Sequence, residues 1–347
     1  MRDLPAVGEV GDHCTKGAAR GPCAGGAARN SPPGEAAMSG AVNANGPGAI
    51  RLAHFSDIHV TAPACVWRPG DYFNKRLTSW VNLRLLGRGR RFRHADRVLA
   101  ALAAELRARG YDRVVFSGDA SALGFEEEMA RAAFLLGLGQ PGALPGLAVP
   151  GNHDYLTQAA MGAGHFERHF APWLAGERVD GAVYPFAQRV GPAWLVGVNS
   201  STANRWAWDA GGRVGAAQLR RLETLLGRLE GGPRILVTHY PVWRAGGRPE
   251  RRSRRLRDLD DLVAVARRGG VGLWLHGHRH ETYHHPMSDV APFPIICAGS
   301  ATQRGRWAYK DYTLTGHRLR AVQRVFNEKE GRFRDGTTFE VELPGGP

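Results

Sequence analysis

The sequence predicts an α/β protein organised on a mostly parallel sheet. Two observations carry this. Short apolar runs alternate along the chain with stretches of helical periodicity, and a β-α-β-α-β order returns each strand parallel to the last through right-handed crossovers. At 347 residues, 43% of them apolar, the chain is also long enough to bury one large core.

Residues 1–48 are rich in Gly, Ala, Pro and Asn, and no period survives the breakers, so they read as a disordered tail. Met38 offers an internal start that would remove most of that tail. Cys14 and Cys23 have no partner ligands nearby and read as ordinary thiols rather than a metal hook. The domain is expected over 49–327, opening with a strand at Ile50–Ser56.

Residues 61–97 read as an insertion. Phe73, Leu77, Val81 and Leu85 recur every four residues with Trp80 beside them, which predicts an amphipathic helix running into the basic cluster Arg84, Arg88, Arg90, Arg91 and Arg93. Such a helix suits an anionic membrane surface, an acidic substrate, or a lid that packs its apolar face on the domain. Beyond it come a helix at Ala95–Arg109, a strand at Arg113–Ser117, a helix at Phe125–Leu136 and a strand at Leu147–Pro150.

Val183–Gln188 and Trp194–Asn199 then pair around Gly191-Pro192. Next in order are a helix at Gly215–Glu230, a strand at Ile235–Val237, a helix at Leu259–Arg268 and a strand at Val271–Leu275. Short strands at 294–298, 309–314 and 318–325 close the domain, and 328–347 reads as a C-terminal tail.

The formal charge of +14 points to polyanionic partners: nucleic acid, an anionic membrane surface or phosphorylated substrates. Lys16, Lys75, Lys310 and Lys329 are the only lysines, so the excess is arginine, a bias that genomic base composition also produces. Cys14, Cys23, Cys65 and Cys297 are too sparse for a disulfide scaffold, which fits a reducing compartment. There is no secretory-type apolar core and no run near the roughly 18 apolar residues of a membrane span. A cytoplasmic location is expected, at most peripheral to the inner face of the membrane.

Five loops, each leaving an expected strand, carry the chemistry: Asp57-x-His59, Gly118-Asp119, Gly151-Asn152-His153-Asp154, Thr238-His239 and Gly277-His278-Arg279-His280. In an open α/β sheet such strand ends converge. Carboxylates, imidazoles and one carboxamide together suit two divalent ions of the manganese, iron or zinc class better than magnesium alone. Two ions sharing a carboxylate can generate a nucleophile from water at neutral pH and clamp a phosphoryl group in line.

This ordered set resembles the calcineurin-like metallophosphoesterases, whose pattern is D-x-H, G-D, G-N-H-D/E, a lone H and G-H-x-H. The resemblance covers about residues 50–325. It implies a four-layer α/β/β/α sandwich, two mixed β-sheets flanked by helices. It implies Asp57, His59 and His280 on one metal, Asn152, His239 and His278 on the other, and Asp119 bridging both. It further implies that His153 contacts the phosphoryl group and protonates or stabilises the leaving oxygen, with Asp154 orienting His153 and holding its charge.

Two places depart from the commonest family form: Ala120-Ser121 follows Gly118-Asp119, and Tyr240-Pro241 follows His239. His276 reads as a packed histidine outside the ligand set, and His54, His284 and His285 as structural or exposed. Ser117 and Thr238 read as satisfying backbone groups. The loops around Trp206-Ala207-Trp208 and Trp243-Arg244 are similar to those of the bacterial cyclic-nucleotide phosphodiesterase branch. The expected activity is therefore hydrolysis of a phosphodiester in a nucleotide or related small ester. The alternatives are a nucleotide-lipid pyrophosphatase at the membrane surface, suggested by the insertion, and a nuclease, suggested by the charge.

Overall fold

The computed structural model describes residues 48–344, so the expected tail at 1–48, with Cys14 and Cys23, lies outside the described residues save its last position. In chain order the elements are β1 (Ile50–Phe55), α1 (Lys75–Arg84), α2 (Arg88–Arg91), α3 (Ala95–Arg109), β2 (Arg113–Phe116), α4 (Glu126–Leu136) and β3 (Gly146–Ala148). There follow α5 (Gln158–Gly162), α6 (His165–His169), β4 (Glu177–Arg178), β5 (Phe186–Val190), β6 (Ala193–Gly197), α7 (Ala216–Arg228) and β7 (Arg234–Val237). The last are α8 (Leu259–Arg268), β8 (Val271–His276), β9 (Tyr283–His285), β10 (Ile295–Cys297), β11 (Ala308–Thr315), β12 (Arg318–Asn327) and β13 (Arg332–Glu342).

They build two mixed sheets. The first has the order β13-β12-β11-β1-β2-β3, with β1, β2 and β3 parallel and β11 antiparallel to β1. The second has the order β4-β5-β6-β7-β8-β10-β9, parallel from β6 through β10 and antiparallel at both edges. Side chains alternate across a strand, and the two cores divide accordingly. Leu195, Ile235, Val237, Leu273, Leu275 and Ile296 join the large core shared with the first sheet, α3 and α4. Their neighbours Trp194, Val196, Leu236, Trp274 and Ile295 face the other way, onto α7 and α8. This is the expected sandwich of two mixed sheets flanked by helices.

Two expectations about the edges need correction. The tail expected at 328–347 is, over Arg332–Glu342, the eleven-residue edge strand β13, paired to β12 along its length. Its charges hide the strand pattern: Arg332, Arg334, Glu340 and Glu342 point outward, while Phe333, Phe339, Val341 and Leu343 pack at the core. Opposite charges sit across the ladder, as in the Arg318–Glu340 ion pair.

The insertion is also built differently from the expected amphipathic helix. Asn74 caps α1 by accepting from the Arg76 N–H at 2.8 Å, so Phe73 falls outside the helix and stands 91% exposed. Leu85, just past the other end, is exposed too. The inward face carries Lys75, Arg76 and Leu83 instead. Burial of Arg76 is possible because its guanidinium donates to Asp71 Oδ1 at 2.6 Å and to the carbonyls of Leu123 and Gly124, lying over the Phe125 ring. Trp67 and Trp80 pack on the same Ala122–Phe125 segment. Among the described residues no helix is long and apolar enough to cross a membrane.

Candidate dinuclear metal centre

All five motif loops leave the C-terminal ends of parallel strands: Asp57 after β1, Asp119 after β2, Asn152 after β3, His239 after β7 and His278 after β8. Their backbones are held in a region L-residues rarely enter. Asp57, His59, Asp119, His278 and His280 all have φ between 42° and 70°, and among the described residues Asp180 is the one other non-glycine so placed. Glycine lets the loops touch. A Cβ on Gly118, at φ +99°, would lie 2.6 Å from the Gly151 nitrogen, and one on Gly277 would run into Ser56 Oγ and Asp57 Oδ2.

The loops place the seven expected ligands around two adjoining points. Asp57, His59, Asp119 and His280 can each direct one donor atom into a space 4.8 Å across. Within it His280 Nε2 lies 3.1 Å from Asp57 Oδ1 and 3.1 Å from His59 Nε2. On the other side, His239 Nε2 and His278 Nδ1 lie 3.2 and 2.9 Å from Asn152 Oδ1. Asp119 Oδ2 sits between the groups, 3.6 Å from His59 Nε2 and 3.5 Å from His239 Nε2.

Hydrogen bonds fix which atoms face inward. Nδ1–H of His59 donates to the Ser121 carbonyl, that of His239 to the Ser117 carbonyl, and that of His280 to Gln303 Oε1 at 2.6 Å. Each Nε2 therefore turns a bare lone pair toward the centre. Asp57 Oδ2 accepts from the His278 N–H and Asp119 Oδ1 from the His153 N–H, while Asp57 Oδ1 is buried without a hydrogen-bond partner. Converging lone pairs and an orphaned carboxylate oxygen are what cations satisfy, so this donor set fits two divalent ions.

The electrostatics agree. Burial, with the neighbouring Asp57 and Asp154, pushes the Asp119 carboxyl well above its ordinary range, as like charges in one dry site must. Burial keeps His59 and His278 well below the ordinary imidazole value, which leaves them neutral and free to ligate.

His153 and Asp154 lie beside the centre, with roles that differ from the expectation. The Asp154 carboxylate accepts the backbone N–H groups of Asp119, Ala120, Ser121 and Gly151 and the Ser121 hydroxyl. It ties the Asp119 loop to the Asn152 loop and does not hold the His153 ring. His153 Nδ1–H goes to the Ala122 carbonyl at 2.8 Å instead, and Nε2 accepts from Arg88 Nη2 at 2.9 Å. Burial, then Arg88, lowers the His153 value well below the usual imidazole range. In this geometry His153 is a neutral imidazole whose outward nitrogen accepts rather than donates, and the N–H groups beside it belong to Arg88.

A family model, calcineurin-like phosphoesterase, matches residues 50–282, more than half of the chain. The chain belongs to the calcineurin-like phosphoesterases. Among solved structures it is similar to a dimetal phosphatase from Danio rerio, at 13% identity and a TM-score of 0.58, over 85% of this chain and 99% of that one. It is similar to a purple acid phosphatase from yellow lupin, Lupinus luteus, at 13% identity and 0.56, over 85% of this chain and 54% of that one. The GAP50 anchor of the Plasmodium inner membrane complex matches at 11% identity and 0.51, over 86% of this chain and 90% of that one. No curated protein matches.

The remaining residues of this phosphoesterase mostly fall as the sequence suggests. His276 is buried on Tyr283 outside the ligand set, and His54 is buried between Tyr312 and Ser117. His284 stacks on Phe339, and His285 bonds the Arg244 carbonyl. Thr238 takes up the Trp274 indole N–H and donates to the Tyr240 carbonyl, but Ser117 Oγ serves His54 rather than the backbone. Tyr240, at one of the two departures noted in the sequence, packs its ring 4.6 Å from that of His278.

Sequence reasoning missed the loop after β10. Ser300 Oγ donates to the Asp57 carbonyl, Thr302 Oγ1 to the Ile58 carbonyl, and Gln303 holds His280. Its signal was a run of small polar residues at a sixth strand end, Gly299-Ser300-Ala301-Thr302-Gln303.

Proposed function

We propose that this chain is a phosphodiesterase acting on a nucleotide or related small ester, in the manner of the bacterial cyclic-nucleotide phosphodiesterase branch, in the cytoplasm. The observation that carries it is the cavity over the metal centre. It holds about 500 Å³, ordinary for a small-molecule site, and reaches from Asp119, Asn152 and His153 out to the loop of Trp206 and Trp208. Those two indoles stack with centroids 5.1 Å apart and stand 52% and 70% exposed, a surface able to meet a base at the rim.

Asp57, His59, Asp119, Asn152, His239, His278 and His280 would hold two divalent ions, which would supply Lewis acidity to water and to the phosphoryl oxygens. The chain does the rest. The His153 N–H fixes the Asp119 carboxylate and Asp154 fixes the Asp119 backbone, so donors are set before substrate arrives. Arg88 presents N–H groups beside His153, where phosphoryl charge develops. Water oxygen forms the new P–O bond, the ester P–O bond breaks, and the leaving oxygen departs with its electron pair and gains a proton of that water.

The test is turnover of bis(p-nitrophenyl) phosphate and p-nitrophenyl phosphate with manganese, iron or zinc present. The diester is expected to be the better substrate. Background rates on both esters with all three metals would overturn the enzyme reading, and a preference for the monoester would overturn the diesterase.

A second reading concerns the insertion. Phe73, Leu85 and Leu86 are 91%, 71% and 74% exposed, alongside Arg84, Arg90, Arg91 and Arg93, a composition suited to an anionic bilayer. Sedimentation with vesicles containing phosphatidylglycerol, but not with phosphatidylcholine alone, would bear this out. Equal sedimentation with both would end it.

A further inference from the structure

Beside α1 lies a second pocket, of about 270 Å³, that shares no lining residue with the cavity over the metal centre. The helix serves both. Lys75, Ser79 and Asn82 line the cavity, while Trp80, Leu83 and Arg84 line the pocket. Leu123, Phe125 and Glu128, at the start of α4 and just before it, add to the pocket wall, and so does the chain between Thr61 and Trp67.

Most of that wall is apolar or aromatic. Trp67 meets Trp80 edge to face, with centroids 6.3 Å apart and planes at 88°, and meets Phe125 at 5.3 Å and 60°. Rings crossed in this way offer π-faces from several directions, and such faces attract organic cations. Arg76, whose guanidinium lies 4.1 Å from the Phe125 centroid, is already one instance.

Glu128 is the exception in the wall. Its carboxyl is 1% exposed, and Oε2 accepts the Leu123 and Phe125 N–H groups at 2.8 and 3.3 Å. Capping α4 in this way needs only an acceptor oxygen, which a glutamine would supply without charge. Among the described residues no cation pairs with Glu128: Arg76 is taken up by Asp71 at 2.6 Å, and Arg84 is an exposed side chain with no carboxylate partner. Burial pushes the Glu128 carboxyl up to about 8, as expected of a carboxylate held without counter-charge. A ligand cation would remove that cost.

We propose that this pocket binds a small organic ammonium ion, an aromatic or aliphatic body bearing a primary amine, with the body against Trp67, Trp80 and Phe125 and the ammonium group at Glu128. The site is separate from the metal centre and goes beyond the phosphodiesterase reading. It gives the buried glutamate and the crossed rings of the insertion a common task.

The test is a fluorine NMR titration of the full-length protein with 4-fluorobenzylamine and 4-fluorobenzyl alcohol, probes matched in size, at pH 8, where the amine is an ammonium ion. The amine should bind about tenfold more tightly, the scale of one charge-assisted hydrogen bond. Glu128→Gln keeps an acceptor for the helix cap and should abolish that margin. Trp80→Leu keeps the carboxylate and should weaken the amine about fivefold. Thermal melts check that each variant is folded, and the two variants stand in for each other if one is not. Equal binding of the two probes, or binding of neither, overturns the proposal. So does a margin that survives in Glu128→Gln, or an amine affinity unchanged in Trp80→Leu.

Discussion

The floor and the wall of the cavity over the metal centre are built by opposite means. The floor, from Asp57 to His280, is made of side chains at strand ends, mostly buried, held by hydrogen bonds to neighbouring loops, and set for five of the seven on left-handed backbone. The wall, from Lys75 to Arg91 and Arg254, is made of long side chains on short helices and a turn, partly exposed, and among the described residues only Arg88 of the four bonds another side chain. Fixed geometry suits the floor because metal chemistry tolerates little error. A looser wall of unpaired charge suits discrimination between anions, which tolerates more.

The largest effect should come from removing the group the whole floor shares. Asp119→Ala is expected to lose both ions and essentially all turnover, read by elemental analysis and a diesterase assay. Retention of one ion would mean that Asp119 does not bridge.

The hinge between floor and wall is the Arg88–His153 contact. Each alanine substitution should keep both metals and lower turnover by roughly 10²-fold. The double variant should lose clearly less than the product of the two, because one hydrogen bond joins them. Full multiplicativity would show that wall and floor act independently. A metal-free His153→Ala protein would show that His153 belongs to the floor.

The floor was legible in the sequence because its chemistry is local. Asp-x-His, Gly-Asp, Gly-Asn-His-Asp and Gly-His-x-His each spell a strand end, and glycine marks where loops touch. The partner of Asp154 was not legible, because backbone N–H groups leave no trace in residue type. Arg88 looked like one of five basic residues in a row, and nothing local told that it alone reaches His153. The face of α1 was misread because a period of four apolar residues outweighed Asn74, whose cap starts the helix past Phe73, and because a buried Arg76 needs Asp71, Leu123 and Gly124 together. Strand β13 was missed because its outward charges match partners on β12, a pairing visible only once the sheet is formed.

A smaller effect sharpens the edge of the floor. Gln303→Ala frees the His280 Nδ1–H, which should cost about 10- to 100-fold in affinity for one ion and leave the other unchanged, by metal titration. An equal loss at both sites would mean that the two halves are not separable.

The smallest concerns stability. Burial lowers His54 from 6.5 to about 3, so it stays neutral between Tyr312 and Ser117. A lowered imidazole contributes stability that is fully present above about pH 6.5 and lost as the pH falls toward 3, with a slope of about 1.4 kcal/mol per pH unit. Thermal melts of the metal-free protein should fall across that window, and less steeply for His54→Gln. Parallel slopes would assign the acid sensitivity elsewhere.

The central claim is that one carboxylate joins two metal sites in one floor. The direct measurement is electron paramagnetic resonance of the protein titrated with Mn(II), with bound metal counted in the same samples. Two equivalents per chain and a spin-coupled dinuclear signal that disappears in Asp119→Ala are predicted. A single equivalent, or two that give only the uncoupled mononuclear signal, would contradict the account.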